Sequence, residues 1–162
     1  MSAPLVRTFV QRIEAPSERV FPLLCPVREG DWLDGWAEHC QIVWSVSGLA
    51  EQGCVFRTFG HGPEATWLIT DHDPDAHRIK FVRVVTGHEA TTLDIAVRPA
   101  NGRASSVDIR YVITPIGPGA AVWAAGRYAE DVFRADIAWW EQSMHHYLAT
   151  GALLRRPVEG SW

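Results

Sequence analysis

Hydrophobic and polar residues alternate through the middle of this chain, and that period of two is typical of half-buried β-strands. The alternation predicts a first strand over 5–13 and six more over 39–46, 54–59, 65–70, 78–86, 90–97 and 105–114. Short turns rich in Gly, Pro, Asn and Asp separate the six later strands. Such turns indicate hairpins, so we predict an antiparallel sheet.

The last quarter of the chain, 127–154, changes to the period of an α-helix. From 129 to 149 there is neither Pro nor Gly, and Gly151 suits a helix end. Apolar residues recur there at steps of three and four, at Phe133, Ile137, Trp140, Met144 and Leu148. We therefore predict one long amphipathic helix whose apolar side packs on the sheet.

Proline positions predict only short helices between the first two strands. Pro16 suits the first turn of a helix that Pro22 and Pro26 keep short, and a second short turn is expected over 26–31. Trp32 and Trp36 then fall in a predicted loop. They either plug one end of the core, which we prefer, or form the rim of a pocket.

Together these elements predict an α+β fold in one domain, 1–162. A seven-stranded antiparallel sheet wraps around the long C-terminal helix, and two short helices follow the first strand. One helix fills so wide a sheet incompletely, so a cavity between helix and sheet is expected. The eight Trp, beside three Tyr and six Phe, are either core packing or the lining of that cavity.

Arginines on inward faces are the most informative polar residues. Alternation places Arg83 on one face with Phe81, and an inward Arg is costly unless it is paired. Arg83 either reaches solvent at a strand end or anchors a ligand oxygen. The pattern of 54–59 leaves open whether Arg57 also points inward.

The order of elements and six stretches of sequence resemble the SRPBCC superfamily, also called START-like or Bet v 1-like. The stretches are APSERVFPLLCPVREGDWLDGW (15–36), EQGCVFRTF (51–59), ATWLITDHDP (65–74), RIKFVRV (78–84), VDIRYVITPIGPGA (107–120) and AWWEQSMHHYLATGALL (138–154). The sequence is most similar to the bacterial polyketide cyclase/dehydrase-like group, whose function is mostly unassigned.

This resemblance implies the helix-grip fold, with a cavity that binds a small hydrophobic or aromatic ligand. An alternative is a polyketide cyclase/dehydratase-like enzyme that uses the same cavity, and a third hypothesis is a protein-interaction module. The latter predicts an exposed apolar patch, whereas the outer strand faces look polar. Trp32 is expected near the entrance. The implied ligand-binding residues are Trp36, Trp67, Phe81, Arg83, Tyr111, Trp140 and Met144.

Motifs for other chemistry are weak. Residues that could polarise a ligand carbonyl are Arg57, Arg83, Tyr111 and His145. Glu141 and His145 have a spacing that a metal or a surface pair can use, and the surface pair is preferred. The segment 71–73, Asp-His-Asp, is interpreted as a turn because Pro74 follows it.

Charge and composition exclude several classes. A net charge of −4 gives no basis for nucleic-acid binding, and no apolar run is long enough to span a membrane. Cys25, Cys40 and Cys54 form no metal or disulfide pattern, so we expect free thiols, no metal and no cofactor. We expect a cytoplasmic protein that is a monomer or homodimer and whose partner is a small apolar or aromatic molecule.

Overall fold

A single antiparallel sheet forms most of the molecule. The computed structural model describes residues 1–60 and 62–157. The strands are β1 (Leu5–Ile13), β2 (Cys40–Trp44), β3 (Val55–Thr58), β4 (Ala65–Asp73), β5 (Arg78–Val85), β6 (Glu89–Pro99) and β7 (Ser105–Pro115). Their order across the sheet is β1-β7-β6-β5-β4-β3-β2. Each pair of consecutive strands from β2 to β7 therefore forms a hairpin. Strand β1 pairs with β7 and forms the edge opposite to β2.

The predicted turn at 71–73 is wrong. Asp71 and Asp73 belong to β4, which pairs with β5 through the end of the strand, and the register shifts between Ile69 and Asp71. An irregularity of this kind lets a strand continue past residues that interrupt its alternation. Reversal of the chain takes place after Asp73, where its carboxylate accepts a hydrogen bond from the Ala76 N–H at 2.9 Å.

Between β1 and β2 the chain forms α1 (Ser17–Val20), a 3-10 turn (Phe21–Leu24), α2 (Glu29–Trp32) and α3 (Trp36–His39). Trp32 and Trp36, which the sequence predicts in a loop, are therefore the last residue of α2 and the first residue of α3. Gly35 makes this change of direction possible because its φ of 82° is readily adopted only by glycine. Trp32 and Trp36 are thus held by two short helices packed against each other.

A helix that the sequence analysis did not predict, α4 (Ala120–Arg127), follows β7. The Gly-Pro-Gly segment 117–119 leads into it, and Gly119 adopts φ 72° directly before α4. Only Ala120 and Ala124 of α4 are buried, one turn apart. So narrow a buried stripe gives little periodic signal.

The long helix α5 (Glu130–Thr150) confirms the prediction for the C-terminal quarter. Phe133, Ile137 and Met144 are buried, and Gly151 with φ 71° ends the helix. Trp140 and Leu148 are partly buried against the core. The predicted fold class is confirmed, because a seven-stranded antiparallel sheet packs on this helix.

Hydrogen bonds join α5 to β1 and to Glu14, the residue that follows β1. The Glu141 carboxylate accepts a hydrogen bond from the Arg12 N–H at 3.0 Å, and His145 Nε2 accepts one from the Glu14 N–H at 3.1 Å. Gln11 Nε2 donates to the Ile137 carbonyl at 3.0 Å. The Glu141–His145 spacing therefore serves neither a metal nor a pair between the two side chains. Instead it covers backbone donors at the outer edge of the sheet.

The other edge strand, β2, is more apolar outside than the sequence suggested. Trp44 is 53% exposed and Val46, just beyond the strand, is 80% exposed.

Within the described part of the chain, no helix is long and apolar enough to cross a membrane.

Candidate functional site

A cavity of about 950 Å³ lies between α5 and the concave face of the sheet. Strands β3 to β7 supply one wall, α5 supplies the opposite wall, and α2, α3 and α4 close the ends. Its volume is at the upper end of the range for small-molecule sites, which is roughly 300–1,000 Å³. A depression of about 280 Å³ on the outer face of β1, β5, β6 and β7 is much smaller.

Aromatic rings make up much of the sheet wall. Phe56 and Trp67, paired across β3 and β4, stack with ring centroids 5.4 Å apart. Phe81 meets both rings edge-on, at 6.2 and 6.0 Å. Interlocked rings of this kind are rigid and present flat apolar surfaces. The wall is therefore shaped before any ligand arrives.

Six of the seven residues predicted to bind a ligand border this one cavity. They are Trp36, Trp67, Phe81, Arg83, Tyr111 and Trp140. Their role in binding stays a prediction, since the structure shows only where they lie.

Met144 does not border the cavity, and its predicted position there is wrong. It is fully buried in the core. The contacts of Glu141 with Arg12 and of His145 with Glu14 flank it along α5. Met144 therefore belongs to the packed core and not to the cavity lining.

Trp32 and Trp36 have different roles, although the sequence analysis assigned both to one alternative, preferably a plug of the core end, and the resemblance implied that both lie near the entrance. Trp32 is 0% exposed, and its indole N–H donates to the Leu23 carbonyl at 2.9 Å. Its ring meets Trp140 edge-on at 6.4 Å. Trp32 is thus a core plug, whereas Trp36 borders the cavity and donates to the Pro26 carbonyl at 2.7 Å.

Arg83 points inward and is paired with an acid that the sequence analysis missed. Glu89 is 0% exposed, and its Oε1 accepts hydrogen bonds from Arg83 Nε at 2.9 Å and from a second N–H of the same guanidinium. The Tyr128 hydroxyl and the Thr91 hydroxyl donate to the same oxygen at 2.8 and 3.1 Å. Four donors bind Oε1, while Oε2 is buried without a hydrogen-bond partner among the described residues, so the cost of burying this charge is offset only in part.

The guanidinium of Arg83 also lies between aromatic rings. It is 5.0 Å from the Trp67 centroid and 5.7 Å from the Tyr128 centroid. Stacking and the ion pair fix its position at the cavity wall. Arg83 therefore presents a fixed, partly compensated positive charge to the interior.

Arg57 and His145, two candidates for polarising a carbonyl, lie elsewhere. Arg57 donates to Glu64 at 3.0 Å and to Gln41 at 2.7 Å, on the outer face of β3. Phe56 and Thr58 take the inner positions of that strand, which settles the ambiguity in its alternation. His145 accepts a hydrogen bond from the Glu14 N–H, just after β1, so neither residue reaches the cavity.

Glu29 is the unexpected acid of the cavity wall. It lies in α2, is 7% exposed, and its carboxyl has no hydrogen bond or ion pair with the residues that the structure describes. Burial raises its pKa to about 8. A carboxyl without a compensating partner stays protonated at neutral pH, because desolvation disfavours its charged form.

Removing this acid is expected to change how stability depends on pH. With a folded-state pKa of about 8 against an ordinary value of 4.5, the unfolded chain ionises first, so stability falls from about pH 4.5 to about pH 8 and then levels off. In Glu29→Gln the loss of unfolding free energy between these pH values should be smaller by on the order of 2 kcal/mol. This figure allows for screening of the charge by solvent in the adjoining cavity.

Urea unfolding at a series of pH values measures this difference. The exposed Glu18 on α1 provides the control, since Glu18→Gln is a surface change expected to alter stability by less than about 0.5 kcal/mol. Identical pH profiles for Glu29→Gln and the unaltered protein would show that Glu29 is hydrated.

Ion pairs occupy the more exposed border of the cavity. Arg127 and Asp136 meet at 3.0 Å with side chains 45% and 41% exposed. Asp34 accepts from Arg155 and from the Arg156 N–H, both at 2.9 Å. These contacts keep the pKa of Asp34 below its usual range, although desolvation acts in the opposite direction. The largest contribution is the hydrogen bond from the Arg156 N–H. The charges at this border are thus compensated.

No group of three or more His, Cys, Asp or Glu residues in 1–60 and 62–157 is arranged to hold a metal ion. Cys25, Cys40 and Cys54 are free thiols. Burial raises the pKa of Cys40 to about 12, with a smaller contribution from Glu29. Cys40 is consequently a protonated, weakly nucleophilic thiol.

Solved structures share this architecture. The norcoclaurine synthase of Thalictrum flavum superposes with a TM-score of 0.66 at 11% identity, covering 91% of this chain and 89% of that one. The Zhui aromatase/cyclase of Streptomyces sp. R1128 gives 0.62 at 14% identity, covering 93% and 99%. Ara h 8.0201 gives 0.61 at 16% identity, covering 90% and 99%.

This is the helix-grip fold of the SRPBCC, or Bet v 1-like, proteins. No protein-family model matches the sequence, and no curated protein sequence matches it either. At identities this low, the likeness establishes the helix-grip fold alone. Function has to be inferred from the cavity itself.

Proposed function

We propose that this protein binds a small hydrophobic or aromatic molecule in the cavity between α5 and the sheet. The observation that carries the proposal is a cavity of about 950 Å³ with a wall of stacked rings. Protein interiors are normally packed without voids much larger than a water molecule. So large a space is consistent with a ligand site rather than a packing defect.

The chemistry of the lining favours a flat, largely apolar ligand. Phe56, Trp67 and Phe81 on the sheet face Phe133, Ile137 and Trp140 on α5 across the cavity. Burying a ring of aromatic size between such surfaces contributes roughly 25 cal/mol for each Å² of apolar area removed from water. Arg83, paired with Glu89 in the wall, and the pair of Arg127 and Asp136 at the border add polarity without a strong net field.

A second function, an enzyme of the polyketide cyclase/dehydratase kind, is favoured by one specific observation. Glu29, Arg83 and Tyr111 bring a carboxylic acid, a guanidinium and a phenol to the same cavity. Groups of these types can polarise a carbonyl or move a proton. Two of the similar structures are described as a synthase and an aromatase/cyclase, which fits this alternative.

Binding is tested with N-phenyl-1-naphthylamine, an uncharged fluorescent probe. Saturable binding at one site per chain, with quenching of tryptophan emission, is expected. Ala65 borders the cavity and is 5% exposed, so Ala65→Phe should fill part of the space and weaken binding at least tenfold.

The neighbouring residue supplies a matched control. Thr66 is on the outer face of the same strand, so Thr66→Phe adds the same ring outside and should leave the affinity unchanged. Circular dichroism shows that both variants are folded. Binding that does not saturate, or that the two variants affect equally, would refute a ligand site in the cavity.

Native mass spectrometry of freshly purified protein complements the titration. A co-purifying small molecule that Ala65→Phe removes and Thr66→Phe retains would identify the natural ligand. Turnover of that molecule, measured by comparing its mass before and after incubation, distinguishes an enzyme from a binding protein.

A further inference from the structure

The outer face of the sheet carries an uncharged row of side chains that crosses every strand from β2 to β1. Cross-strand pairing joins its members one after another, starting at Trp44 in β2 and ending at Val6 in β1. Between these ends lie Val55, Leu68, Val82, Thr92 and Val112. All members except Thr92 are apolar, and we call this set the outer row.

The outer row faces solvent on the side of the sheet away from α5. Trp44 is 53% exposed, Val6 is 44% exposed and Leu68 is 39% exposed, whereas the remaining valines are half-buried. Their neighbours along the strands, such as Trp67 and Tyr111, point to the opposite side and border the cavity. The sequence suggested polar outer faces because only the register between strands brings these apolar side chains into line.

The next row on one side of the outer row is also uncharged over β4 to β7. It contains Thr66, Val84, Ala90 and Thr114, which are cross-strand partners in that order. Single apolar residues on a surface need no explanation, but a continuous uncharged band on an open sheet face is typical of an interaction surface.

A row of alternating charge borders the outer row on its other side. It runs from strand to strand through Asp71 in β4, Lys80 in β5, Asp94 in β6 and Arg110 in β7. Lys80 and Asp94 form an ion pair at 4.0 Å with both side chains largely exposed. The sign of the charge therefore reverses at each strand, and this order specifies which surface can be placed opposite it.

We propose that this outer face binds a second copy of the chain, related by a two-fold axis that runs parallel to the strands between β5 and β6. Such an axis places each row opposite the same row of the second copy and reverses the order of the strands. Lys80 then lies opposite Asp94 of the second copy, and Asp71 lies opposite Arg110 of the second copy. The charged row is thus complementary to itself.

The apolar side chains fit the same arrangement. Leu68 lies opposite Val112 of the second copy, so the uncharged band is covered by an identical band. An axis through the middle of a strand would instead place like charges together, for example Asp94 opposite Asp94. Two twisted sheets commonly pack face to face with their strands nearly aligned, as this axis requires.

The available area predicts a weak dimer. Strands lie roughly 4.8 Å apart, and alternate residues of one strand lie roughly 7 Å apart. Three rows over six facing strands therefore cover on the order of 600 Å² in each copy, which is at the low end for specific association. We expect a dissociation constant on the order of 10 µM.

Sedimentation equilibrium from about 1 to about 500 µM protein tests the association. A change from monomer to dimer is expected, and it should weaken as salt is raised because the facing charges are exposed. Leu68→Glu puts a charge into the uncharged band of each copy, so the dissociation constant should rise at least tenfold. Val122→Glu is the matched control, since Val122 is 80% exposed on α4 and away from this face. It should leave the dimer unchanged.

Two charge variants test the axis itself. Lys80→Glu or Asp94→Lys alone sets like charges opposite each other, so each variant should dimerise at least tenfold more weakly than the unaltered protein. In an equimolar mixture, the more acidic row of one variant meets the more basic row of the other, and a heterodimer should form. Both variants lack the Lys80–Asp94 pair within the chain, so mixing restores only contacts between copies.

The outcomes are decisive for this inference and leave the proposed function unaffected, because the cavity lies on the other side of the sheet. A protein that stays monomeric up to about 500 µM refutes the inference, as does a mixture of the charge variants that remains monomeric. A dimer that Leu68→Glu leaves intact and Val46→Glu disrupts also refutes it, because the copies then pair along the exposed edge of β2. Circular dichroism establishes that each variant is folded.

Discussion

Arg83→Met is expected to lower the free energy of unfolding by about 3–5 kcal/mol, because it leaves the carboxylate of Glu89 buried without its positive partner. Glu89 is 0% exposed, and Arg83 supplies two of the four hydrogen bonds to its Oε1. Only hydroxyl donors, from Tyr128 and Thr91, would remain. Urea unfolding followed by tryptophan fluorescence measures the loss.

Two further variants identify the cause. Arg57→Met removes an arginine from the exposed outer face of β3, where its pair with Glu64 is surface-exposed, and should cost less than about 1 kcal/mol. In the double variant Arg83→Met, Glu89→Gln the charge is removed together with its partner, so much of the stability should return. A double variant no more stable than Arg83→Met alone would show that lost packing, and not the unpaired carboxylate, causes the effect.

The strands and the long helix could be predicted because a periodic pattern directly encodes a half-buried element. For β1 the predicted and observed residues coincide, and α5 begins and ends within one residue of the stretch free of Pro and Gly. The helix α4 could not be found in this way. Its buried stripe is only Ala120 and Ala124, and small residues of this kind give no contrast with their neighbours.

The aromatic lining could be predicted, but the acids around it could not. Trp67 and Phe81 stand out as large rings on an inward face, and the structure places both at the cavity. Glu29, by contrast, lies in a short helix flanked by charged residues, where an acid is usually solvated. Its burial depends on how α2 lies against α5, and this tertiary contact leaves no local signal.

The position of Glu89 does carry a signal, because it is in phase with the buried face of its strand. Glu89 and Thr91 continue the inward alternation of Leu93, Ile95 and Val97 in β6. The predicted strand began one residue late, at 90, because an acid is an unexpected first residue for an inward face. A charged residue in phase with a buried face therefore indicates a buried partner, here Arg83 on the adjacent strand.

Trp32→Ala is expected to cost about 3–5 kcal/mol of unfolding free energy, the range for removing a large aromatic side chain from a core. Trp32 is 0% exposed, donates from its indole to the Leu23 carbonyl and packs edge-on against Trp140. Truncation leaves a cavity and an unsatisfied carbonyl together. Equilibrium unfolding in urea measures the loss.

Trp140 is the matched control, because it forms the other half of the same ring pair and already borders the cavity. Trp140→Ala enlarges an existing space rather than creating a new one, so a smaller cost of about 2 kcal/mol is expected. Trp140→Ala should change the affinity of the folded protein for N-phenyl-1-naphthylamine, because it alters the cavity wall. Trp32→Ala should change probe binding only by lowering the fraction of protein that is folded. Equal costs for the two substitutions would contradict the division between a core plug and a cavity wall, since both would then be packing residues of the same kind.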